Sequence, residues 1–152
     1  MHPFYQAFLD KLEELHKQIE AAIEGLPPAA LDWTPGPQMN AITVLVVHIA
    51  GSERYLLSDI LAQRPTGRDR ASEFTVRGLD ADALCARLAD SRAFAKELLE
   101  KLSIDDLVTP RVLRNGRQVT GAWALLHVLD HTGEHLGHIE ITRQLWGRGP
   151  AA

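Results

Sequence analysis

A chain of 152 residues, 45% apolar and 24% charged, has an ordinary globular composition; its length suits one domain over 1–152 and excludes neither a real core nor a fold without staples, while disorder and a collagen-like repeat are ruled out. A net charge of −4 with scattered basic residues excludes a nucleic-acid surface built on clustered Lys and Arg, and no stretch of about 18 apolar residues is present to span a membrane. Cys85 is the only cysteine, so no intrachain disulfide forms; with Asp10 and Lys11 near the start and no signal-type apolar run, a cytoplasmic protein is expected.

Apolar residues recur at helical spacing in four long segments. The first runs from about Pro3 to Glu24 and stops at Gly25, ahead of Pro27 and Pro28. The proline-rich connection from Leu26 to Met39 follows, with Leu31 and Trp33 expected to pack on the helices. Asn40 is placed to cap a second helix that continues to about Gln63, before Pro65 and Gly67. Arg64, Arg68 and Arg70 read as a solvated loop. A third helix opens near Asp80 and Asp82 and reaches Leu102, and within it Cys85 reads as a small apolar residue. In RVLRNGRQVT, entered at Pro110, the pair Asn115-Gly116 signals a type I′ turn and a small hairpin. The fourth helix starts after Thr120 and ends at Gly147, with Arg143 in its last turns to suit the dipole. The pattern predicts an all-α, four-helix bundle with a small hairpin before the last helix.

The last helix carries His127, His131, His135 and His138. At about 100° per residue all four fall within an arc of roughly 80°, on the border of the buried stripe. His131 and His135 lie nearest the interior, and an i, i+4 pair lets two imidazoles converge on one ion. The segment HTGEH also matches an inverted metalloprotease pattern, but little chain follows to supply a further ligand. A third ligand is therefore sought upstream. His16, among the charges of LEELHKQIE, reads as a solvated rim histidine. His48 lies in the most apolar helix, on the edge of its core stripe, where an unsatisfied ring is costly. A metal site shared by His48, His131 and His135 satisfies all three. His127 and His138 then serve as supporting groups or an extra ligand, and Glu134, about 100° from His135, is a base, a supporting group or a surface residue. Glu53 has no assigned role.

Two stretches carry a family likeness: LDWTPGPQMNAITVLVVHIAGSERYLL and LLHVLDHTGEHLGHIEITRQLW. With a Trp-Pro turn, a histidine on the second helix and H-x3-H-x-G on the last, the chain resembles the DinB-like (damage-inducible, YfiT-type) metalloenzyme superfamily over nearly its whole length. The resemblance implies a four-helix bundle, a three-histidine site at His48, His131 and His135 that binds Zn, Ni, Fe or Mn and is open to water, and a homodimer. It departs at His138, where relatives often carry glutamine. Members with known activity include low-molecular-weight thiol S-transferases and thiol-dependent maleylpyruvate isomerases.

The resulting expectation is a metal-dependent transferase or related isomerase that joins a low-molecular-weight thiol to a small electrophile, since the ion stabilises a thiolate. The same ion could instead activate water in a hydrolase. A non-catalytic, stress-linked metal-binding module is the reading from a different class, with His138 or His127 closing the site. Tyr55 and the loop from Arg64 to Arg70 are candidates for a substrate pocket by position alone. Trp33, Trp123 and Trp146 are expected to anchor core or interface.

Overall fold

In the computed structural model, which describes residues 1–149, each long helix forms where the apolar spacing places it. Helix α1 (Pro3–Ile23) turns Tyr5, Phe8, Leu12, Ile19 and Ile23 inward. A short helix α2 (Pro28–Leu31) buries Leu31, and half-buried Trp33 meets Trp146 edge-on, ring centres 5.6 Å apart. Helix α3 covers Ile42–Arg54. Its cap is Ala41 and not Asn40: buried Ala41 is the last extended residue, and no side chain caps the first turn. Beyond Arg54 the coil widens into a π-helical segment, Tyr55–Leu61, instead of continuing as α-helix to Gln63. Gln63, at φ 54°, then reverses the chain.

The short helix α4 (Arg70–Glu73) is capped by Asp69, and α5 (Ala81–Leu99) by Asp80, whose side chain accepts from the Ala83 N–H. A 3₁₀ turn (Ile104–Leu107) leads to the antiparallel pair β1 (Pro110–Val112) and β2 (Gln118–Thr120), with Arg111 opposite Val119. The turn is not type I′. That type needs a left-handed backbone at both central residues, and here only Gly116 has one, at φ 81°. The Gly116 N–H donates to Leu113 O at 2.9 Å and the Leu113 N–H to Arg117 O at 2.9 Å, which closes a longer loop. Thr120 caps α6 (Gly121–Gly147) through the Trp123 N–H.

Helices α1, α3 with its π-helical extension, α5 and α6 make the four-helix bundle. Two apolar clusters fill it, one around Tyr5, Leu57, Leu99 and Leu125, the other around Ile23, Ile42, Leu88 and Ile139. Between them each helix contributes one buried polar residue: His16, Glu53, Ser91 and Thr132. Glu53, 1% exposed, accepts from His16 Nε2 at 2.8 Å, from Thr132 Oγ1 at 2.9 Å and from Ser91 Oγ. His16 is therefore not a rim residue but fully buried. Its sequence neighbours are charged, yet the residues that share its face are Leu12 and Ile19, and the face decides burial. Cys85 packs beside the second cluster, and burial pushes its thiol up, away from reactivity. No helix among the described residues is long and apolar enough to cross a membrane.

Candidate metal centre

His48 comes from α3, while His131 and His135 lie one turn apart on α6, so the three rings meet where these helices pack. Nε2 of His131 stands 3.1 Å from Nε2 of His48 and 3.1 Å from Nε2 of His135. Each ring offers one donor nitrogen, and the three lie within 4.8 Å of one another. His48 is buried and the other two are half-buried, which leaves one side of the cluster open.

Behind His48, Glu73 Oε2 accepts from Nδ1 at 2.8 Å. A carboxylate only accepts, so the proton sits on Nδ1 and the Nε2 lone pair faces the cluster. Arg68 grips the same carboxylate with Nε to Oε1 at 2.6 Å and Nη2 to Oε2 at 2.8 Å. Arg68 thus leaves the solvated loop expected for it, because α4 carries Glu73 up against α3; Arg64 and Arg70 stay exposed. Gly51 makes the approach feasible, since a Cβ there would overlap the Glu73 carboxylate.

Burial lowers the pKa of all three rings. His131 falls to about 3, through burial first and then the neighbouring positive charge of His135, His48, His127 and Arg68. His135 falls to about 4, through burial and then His48 and His138, with Glu134 opposing. His48 is lowered by burial against the upward pull of Glu73. At neutral pH the rings are uncharged, the form that binds metal. Among themselves they cannot all be satisfied. His131 Nε2 faces two nitrogens, one proton serves only one of them, and His131 Nδ1 is buried without a partner. Nitrogens on a tetrahedral zinc stand about 3.3 Å apart, close to the spacing of the two contacts here. The donor set fits a divalent transition ion.

The other sequence candidates fall outside the three. His138 is exposed, and its Nδ1 lies 3.1 Å from Nδ1 of His135, so it steadies that ring. His127 stacks on Trp123, ring centres 4.7 Å apart, and stands 6.0 Å from the His131 ring. Glu134 points to solvent.

The family model that describes the DinB superfamily matches residues 11–139. The chain belongs to the DinB superfamily. Three solved structures share its fold. A conserved protein from Enterococcus faecalis is 20% identical with a TM-score of 0.76, covering 92% of this chain and 95% of its own. A DinB-like protein from Bacillus cereus is 15% identical at 0.75, with 93% and 92% covered. YfiT from Bacillus subtilis, described as a probable metal-dependent hydrolase with an unusual four-helix bundle topology, is 20% identical at 0.75, with 97% and 90% covered. No match to a curated protein was found.

In this DinB-superfamily chain two recesses flank the histidines. One of about 270 Å³ is bordered by Ser52, Tyr55, Arg68, Arg114, Trp123 and His127; the other, about 190 Å³, by Met39, Leu45, His135 and His138. A recess of about 430 Å³ beyond Arg68 and Glu73 reaches none of the histidines. Sequence reasoning missed Glu73 altogether and left Glu53 without a role. Glu73 follows a connection with no periodicity, so nothing in its spacing signals a partner.

Proposed function

We propose that this protein is a divalent-metal-dependent enzyme whose ion is held by His48, His131 and His135, and that it transfers a low-molecular-weight thiol to a small electrophile. The observation that carries the metal reading is the convergence of three uncharged ring nitrogens at one open-sided point. The transfer reading rests on the family resemblance of the two motif stretches. When bound, the ion supplies Lewis acidity that favours the anionic form of a nucleophile at neutral pH. The chain does the rest. Glu73 fixes the His48 tautomer, Arg68 fixes Glu73, and His138 steadies His135. One recess borders His135 itself and the other borders His127, beside the cluster, which leaves room for a substrate near the rings.

Hydrolysis is the second reading, favoured by the description of YfiT and by the fact that neutral histidines suit water as well as thiol. Elemental analysis of the parent and of His48→Ala comes first. One ion per chain in the parent and almost none in the variant is expected; full loading of the variant would refute the three-histidine site. Loaded protein is then assayed with thiols and electrophiles by thiol loss, and with ester and amide substrates by acid release. Thiol loss without hydrolysis supports transfer, the reverse supports hydrolysis, and neither leaves a non-catalytic metal-binding module.

A further inference from the structure

The recess of about 270 Å³ that borders His127 combines apolar walls, Leu56, Leu113 and the Tyr55 and Trp123 rings, with the guanidinium groups of two arginines. Arg68 and Arg114 line it, with guanidinium carbons 5.6 Å and 4.8 Å from the centre of the Tyr55 ring. Arg117 stands over Trp123 at its edge, 5.1 Å from the ring. Among the described residues no Asp or Glu lines it. Arg68 has its counter-charge in Glu73, but Arg114 and Arg117 form no ion pair among the described residues. In a chain of net charge −4, Arg114 and Arg117 are a local excess of positive charge that no acid among the described residues pairs with. Aromatic faces hold the guanidinium planes in place while leaving their N–H edges free.

We infer that this recess is an anion-binding subsite that takes the carboxylate of the substrate, with Arg114 as its principal donor and Tyr55 and Trp123 as its walls. A guanidinium edge matches a carboxylate in shape and number of donors. The subsite lies beside the histidine cluster: the His127 ring borders it and is 6.0 Å from the His131 ring, and Arg68 Nη2 is 3.4 Å from His48 Nδ1. Arg114 and His127 border the same recess, so a small molecule with its carboxylate on Arg114 has its other end free to run past His127 toward the cluster. The inference deepens the thiol-transfer reading and rests on it for what that other end is. It selects carboxylate-bearing thiols over neutral ones.

The test uses cobalt-loaded parent and Arg114→Gln, titrated with 3-mercaptopropionate and with 2-mercaptoethanol and followed by the sulfur-to-cobalt charge-transfer band. In the parent the carboxylate thiol is expected to bind about tenfold more tightly, the ratio one charge-assisted hydrogen bond supports. In Arg114→Gln the advantage should fall to about twofold or less, with 2-mercaptoethanol bound equally by both proteins. Equal affinities in the parent, or an advantage that the variant keeps, would overturn the subsite. If neither thiol reaches the cobalt, the thiol reading fails by itself, and propionate decides the subsite: a Trp123 indole N–H resonance that shifts in the parent and not in Arg114→Gln upholds it, and no shift in the parent removes it.

Discussion

At His48 the position of one proton is settled by a neighbour, because Glu73 can accept and cannot donate. Glu73→Gln keeps an acceptor but removes the charge that makes the ring a stronger base and releases Arg68. Metal affinity should fall about 10–100-fold by chelator competition; unchanged affinity would show that the carboxylate has no hold on the site. His131 and His135 give a pH dependence of the metal-free protein. Their pKa values are about 3 and 4 in the fold against an ordinary 6.5. Between pH 6.5 and 4 the unfolded chain binds protons that the folded chain refuses, so stability declines as pH falls through this window and is insensitive to these rings above it. Thermal melting at pH 7, 6, 5 and 4 should show that decline, and the double variant His131→Ala, His135→Ala should flatten it. The convergence of His48, His131 and His135 was legible because helical periodicity orders side chains within α3 and α6. Glu73 and Arg68 were not, because their meeting depends on how a non-periodic connection folds back.

One carboxylate joins all four bundle helices: Glu53 of α3 takes hydrogen bonds from α1, α5 and α6. Glu53→Ala leaves a buried imidazole and two buried hydroxyls without their acceptor and should cost about 3–5 kcal/mol, read as a lower denaturation midpoint with an unchanged slope. A loss below about 1 kcal/mol would mean that water or a shifted side chain takes its place. The limits of sequence reading differ among the elements. Helix α6 was legible to the residue, since Thr120 and Gly147 bracket an unbroken pattern. The π-helical segment was not, because YLLSDIL contains no glycine or proline and its apolar spacing also suits an α-helix. The hairpin was legible from Asn115-Gly116, but its turn type depends on whether Asn115 turns left-handed, which the sequence leaves free and the structure decides against.

Over the whole molecule, a ligand that binds only the folded chain raises its melting temperature with ligand concentration. Zinc at about a thousandfold excess over its dissociation constant should add about 4 kcal/mol, or about 10 °C for a chain of this size, with no such rise in His131→Ala. The bundle itself was legible because four amphipathic segments have few ways to bury their stripes; the polar layer between its two clusters was not, because it requires the register of all four helices at once. The support for His48 has a different anchorage from the histidine itself. His48 stands on a long bundle helix, whereas Glu73 rides on the four-residue helix α4 within the connection from Ala62 to Asp80. Such connections open at a fraction of the free energy needed to unfold a core. Amide exchange at Ser72 and Glu73 should then outpace exchange in mid-α3, and the lifetime of a bound ion would be timed by the breathing of this strap, independently of how well the bundle resists heat.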